Sequence, residues 1–148
     1  MTEYDKLERR LAQTIKLLQS VTLTERQRRF ALAEGDFDAA QRIQDEADKR
    51  LTALRRLDAE VQALRAKVEA GPLTPTQQGR LRKLDDCRRA AAKEAHQASQ
   101  ANQGLVKEFL DEMKRQLGRI QKGRRALHGY TRSVGAEKKH RKILSGEL

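Results

Sequence analysis

Between Ala40 and Val68 the residues Ala40, Ile43, Ala47, Leu51, Leu54, Leu57, Val61, Leu64 and Val68 span 28 positions in eight steps, a mean of 3.5. That is the heptad period, which keeps one seam of a helix turned towards a partner helix. A strand would alternate with a period of two, so this segment is helical and needs company to bury its seam. A similar stripe precedes it: Tyr4, Leu7, Leu11, Ile15, Leu18 and Val21, continuing through Phe30 to about Glu34. A third follows it: Leu81, Leu84, Ala91, Ala95, Ala98, Leu105, Phe109, Met113, Leu117, Ile120, Leu127 and Tyr130.

The punctuation between the stripes agrees with helix ends. Thr2 with Asp5 resembles a capping box, in which a side-chain oxygen accepts from an otherwise orphaned backbone N–H. Gly35-Asp36 joins a favoured helix stop to a favoured N-cap. Gly71 and Pro72 end the second helix; Thr74, Pro75 and Gln77 then supply an N-cap, a first helical residue and a capping-box partner. The spacing therefore predicts an all-α fold, an elongated antiparallel three-helix bundle or coiled coil with a long third helix. Its helices run over about 3–34, 36–69 and 75–131 in a single domain, 1–132, followed by a flexible basic tail, 133–148.

Composition narrows the function. Aromatic residues make up 3% of the chain, charged residues 36%, and there is no Trp, as in long helices or coiled coils rather than compact aromatic cores. The lone Cys87 cannot form an internal disulfide and reads as a small residue on a helix face. The opening Met1–Leu11 segment is charged from the start, and no run of about 18 apolar residues occurs, so neither a signal peptide nor a transmembrane segment is expected. The expected location is cytoplasmic.

No catalytic site is expected, and no metal or cofactor. His96, His128 and His140 stand far apart, without ligating partners at metal spacing. Asp85-Asp86 and Asp111-Glu112 are sequence neighbours whose side chains diverge on a helix. There is no Gly-rich phosphate loop.

Charge is unevenly spread. Residues 1–70 hold 14 Lys/Arg and 13 Asp/Glu; residues 71–148 hold 18 and 8. Residues 114–142 carry 11 basic residues and one acidic residue, Glu137. Such a stretch suits nucleic acid, an anionic surface or an acidic protein. It lacks the interleaved aromatics of a base-stacking surface, and no nucleic-acid motif accompanies it, which weighs against nucleic acid.

The third stripe outruns its neighbours, so apolar surface around residues 105–130 should lie unpaired within one chain. The candidate partner-binding residues are Asn102, Leu105, Phe109, Met113, Leu117, Ile120, Leu127 and Tyr130. Stripes of this kind are also built as core. The same row fits an intramolecular or homodimer interface, Asn102 a register-setting buried amide, and Tyr130 a packing residue closing the last turn.

Several short runs resemble flagellar export chaperones of the FlgN/FliT type. They are Glu25 to Ala40 (ERQRRFALAEGDFDAA) with Gln44 to Lys49 and Leu51, then Asn102-Gln103-Gly104-Leu105, then Gly123 to Tyr130 (GRRALHGY) with Gly135. The likeness covers roughly Leu7 to Gly135 and its motifs are short. It implies a cytoplasmic chaperone that holds the amphipathic C-terminal helical segment of hook–filament junction proteins, or of the filament cap protein, until export. It also implies docking on the export gate, with Tyr130 at the position of the tyrosine implicated in that step. A basic coiled coil binding nucleic acid and a purely structural homodimeric coiled coil are the alternatives.

Overall fold

The computed structural model describes residues 1–133, with three helices: α1 (Glu3–Ala33), α2 (Phe37–Glu69) and α3 (Pro75–Ser133). No strand occurs among the described residues. The tail expected from 133 onwards lies, after Ser133, outside them. Where the sequence suggests one domain over 1–132, the chain divides into two compact units, Met1–Leu105 and a second beginning at Val106. The helices contain 31, 33 and 59 residues, α3 being the longest.

Each helix start has a local cause. Thr2 Oγ1 accepts from the Asp5 N–H at 3.1 Å, and Asp5 Oδ2 accepts from the Thr2 N–H at 3.1 Å. Two of the orphan donors of α1 are thus satisfied reciprocally. Asp36 Oδ1 accepts from Ala39 N–H at 3.1 Å to open α2. Thr74 and Gln77 repeat the reciprocal box at the start of α3, both bonds at 3.1 Å, with Pro75 as its first residue. α1 stops in a paired arrangement: Asp36 N–H donates to Ala31 O at 2.9 Å and Gly35 N–H to Leu32 O at 3.1 Å. That closure needs a left-handed residue, and Gly35 provides it at φ +74°.

The first box makes a pH prediction. Hydrogen bonds from the Thr2 side chain, then from its backbone, hold the Asp5 carboxyl below its ordinary 3.8. A depressed carboxylate contributes stability that is present above its unfolded value and lost as pH falls through the folded one. Thr2→Ala removes the larger cause, so the loss of thermal stability as pH falls below about 4 should become shallower. Melting curves across that range measure it; an unchanged acid slope would mean that the box does not form in solution.

Within the first unit α1 and α2 run antiparallel, joined by an Arg10–Glu60 ion pair at 3.0 Å and by an Arg50 hydrogen bond to the Thr24 hydroxyl. α3 returns parallel to α1. Near its start the Tyr4 hydroxyl donates to Gln77 O at 3.5 Å; further along, Asn102 meets Glu25. Arg65 of α2 forks onto both Asp85 oxygens of α3, at 3.1 and 2.6 Å. That hydrogen bonding raises the guanidinium pKa further above its ordinary value.

The apolar core is concentrated where α1 begins, α2 ends and α3 begins. Tyr4, Leu7, Leu11, Val61, Val68 and Leu81 are buried together, with Leu64, Leu73 and Leu84 packed against them. At the other end most buried residues are smaller or polar, namely Ala31, Ala40, Ala47, Ala91, Ala95, Thr22, Thr24, Glu25 and Asn102, with Val21 and Leu32 as the larger apolar members. Thr14, Thr22 and Thr24 satisfy their hydroxyls on the carbonyls of Arg10, Leu18 and Ser20, four residues back in the same helix. Phe30, read in sequence as part of the α1 stripe, is 72% exposed. After Val21 the buried face passes instead through Glu25, Arg28 and Leu32, with Arg28 half-buried, because steps of four, three and four residues keep to one side of a helix.

A candidate partner-binding surface

Two different environments receive the eight residues singled out in sequence. Asn102 and Leu105 belong to the first unit; Phe109, Met113, Leu117, Ile120, Leu127 and Tyr130 belong to the second.

Asn102 is a correction. It is completely buried and offers no surface to a partner. Its amide Nδ2 donates to the Glu25 carbonyl at 2.7 Å and to Glu25 Oε2 at 2.6 Å. Arg28 Nη1 approaches the same carboxylate oxygen at 3.4 Å. Glu25 is itself only 4% exposed, so its charge is held by a neighbouring guanidinium and a fixed amide rather than by water. The physical reason for the burial is register: helical spacing from Ala91 through Ala95 to Asn102 keeps α3 facing α1, and Asn102 falls on that line opposite Glu25. Leu105, at the end of the same unit, is half-buried.

In the second unit α3 carries a regular row. Val106, Leu110, Met113, Leu117, Ile120, Arg124 and Leu127 alternate in steps of four and three, the a/d pattern of a coiled-coil seam. Leu110 is 52% exposed, Met113 58%, Leu117 56% and Ile120 54%. Val106, Phe109 and Leu127 are half-buried, and Tyr130 is exposed. Four large aliphatic side chains on one face, each more than half in water, form a continuous apolar strip of the kind that marks an interaction surface. Leu110 was missing from the sequence reading. The three- and four-residue steps taken through Leu105 and Phe109 pass beside it, and strict heptad phasing from Val106 picks it up.

One edge of the row is basic. From Lys114 to Tyr130 there are six Lys/Arg residues and no Asp or Glu. Lys107 and Lys114 each follow a seam residue directly, Arg124 occupies a seam position, and all three are exposed. Arg115 pairs with Glu112 at 2.9 Å on the side away from the seam.

Among the described residues no group of three or more His, Cys, Asp or Glu is placed to hold a metal ion. Cys87 is exposed, as are His96 and His128; His140 lies outside the described residues. One open groove between α1 and α2, of about 480 Å³, is lined by Lys6, Arg9, Arg10, Glu60 and Leu64. No helix among the described residues is long and apolar enough to cross a membrane.

The chain matches no protein-family model, and neither curated proteins nor solved structures give a match.

Proposed function

We propose that this protein is a helical binding protein of the export-chaperone kind, which takes an amphipathic helix of a client onto the second half of α3. The observation that carries this reading is the exposure of Leu110, Met113, Leu117 and Ile120 on one heptad face. A helix-in-groove mode needs an apolar surface in steps of three and four, and Met113 gives it an adaptable member. The resemblance to FlgN/FliT-type chaperones supplies the client class. It comprises the C-terminal helical segments of hook–filament junction or filament cap proteins, held in the cytoplasm until they reach the export gate. Tyr130 is then the residue offered to the gate.

Magnitudes limit how this surface works. Covering the exposed half of four such side chains contributes roughly 1 kcal/mol each, about 4 kcal/mol together. Association itself costs at least about 4 kcal/mol. The row alone therefore gives weak binding, and a useful complex needs its flanks as well.

Titration of the full chain with an isolated C-terminal segment of a junction protein tests the proposal. A one-to-one complex is expected, and Leu117→Asp with Ile120→Asp should weaken it by at least about 30-fold, the scale of a lost hot spot. Both residues are more than half exposed, so helicity by circular dichroism should stay near that of the parent. If the double variant binds as well as the parent, the row is not the binding surface.

A further inference from the structure

We propose that the helix accepted by this row is acidic: an amphipathic helix of another protein with carboxylates beside its apolar seam, meeting Lys107, Lys114 and Arg124. The inference rests on the docking reading above and adds the chemistry of the occupant. Lys107 and Lys114 border the seam on one edge, where Gln121 continues it; the opposite edge is Phe109, Gln116 and Gly123, without charge. Arg124 interrupts the seam itself. None of the three cations is in an ion pair among the described residues, although Arg115 nearby is. A helix laid on this face therefore meets positive charge along one margin and no carboxylate on either, and desolvating Arg124 is costly unless a carboxylate answers it.

A second copy of this chain answers poorly. In a parallel pair seam residues of the same type face each other, so Arg124 would stack on Arg124. In an antiparallel pair the lysine-bearing edges meet each other. In neither orientation does a carboxylate occupy a seam or edge position, because Glu108, Asp111 and Glu112 lie on the outer side of the heptad. A lipid surface is the weaker fit. Between Val106 and Leu127 the large apolar residues more than half exposed, Leu110, Met113, Leu117 and Ile120, all fall at seam positions, a narrow strip suited to one helix, whereas a helix lying in a membrane presents a broad apolar arc.

The test uses the full chain and two synthetic 28-residue helical peptides with identical leucine seams, one with Glu on both edges and one with Lys. Fluorescence anisotropy should show the Glu peptide binding about ten-fold tighter or more at 0.1 M salt, with the gap shrinking as salt rises towards 1 M. The triple variant Lys107→Glu, Lys114→Glu, Arg124→Glu should reverse the preference. Equal binding of the two peptides would overturn the acidic partner and leave the docking reading standing. Failure of both would remove the docking reading, and this inference with it. A triple variant that still prefers the Glu peptide would place the preference on other cations and overturn the assignment. So would tighter binding to vesicles of three parts phosphatidylcholine to one part phosphatidylserine. A dimer in sedimentation that Leu117→Asp converts to monomer would make a second copy the occupant, with the same result.

Discussion

Leu11→Ala is expected to lower the stability of the folded chain by about 3–4 kcal/mol, within the range for truncating a fully buried leucine. Leu11 has no exposed surface and belongs to a cluster to which all three helices contribute large side chains. The truncation removes apolar contact and leaves a cavity between rigid helices that can close only in part. The other large apolar residues buried among the described ones, Val21 and Leu32, lie outside that cluster, among alanines, threonines and a polar pair. Against a typical total of about 5–15 kcal/mol the loss is large. Urea unfolding with an unchanged m-value measures it. A shift under about 1 kcal/mol would mean that the three helices do not meet around this residue.

The second large effect comes from the buried pair. Asn102→Leu should cost about 2–3 kcal/mol, because the Glu25 carboxylate and carbonyl lose their donor where water cannot replace it. Replacing both partners, Glu25→Leu with Asn102→Leu, should return stability to within about 1 kcal/mol of the parent, since buried polar pairs can often be exchanged for apolar groups at little net cost. Arg28, freed from Glu25, can extend into solvent. The non-additivity is the informative quantity. If the double variant is as unstable as the two single losses combined, the pair is not coupled as the geometry says. The pair also links residue 25 of α1 to residue 102 of α3, so the double variant tests whether it fixes the sliding of one helix against the other.

Much of the fold was legible because its signals are local. Thr2 with Asp5, Gly35-Asp36, and Thr74-Pro75 with Gln77 act within four residues, and the observed helix ends use those residues. The seam of α2 was legible from periodicity. What escaped depends on tertiary neighbours. Glu25 is charged, so a search for apolar steps passes over it and moves to Phe30; only the presence of Arg28 and Asn102 makes the carboxylate tolerable inside. Asn102 looked like part of a surface stripe for the same reason, its partner being 77 residues away. Along the candidate surface, Met113, Leu117 and Ile120 were readable as a row. Leu110 and the seam position of Arg124 emerge once exposure fixes the heptad phase.

The grading of buried side chains along the first unit has a mechanical consequence. Leucine, valine and tyrosine grip the helices where α1 begins, while at the opposite end alanines and hydroxyl groups outnumber the two larger apolar residues, Val21 and Leu32. Small side chains lose little when they part, so thermal opening should begin there, around the Gly35 turn and the first turns of α2. The rods then behave like tongs, clamped at one end and able to spread at the other.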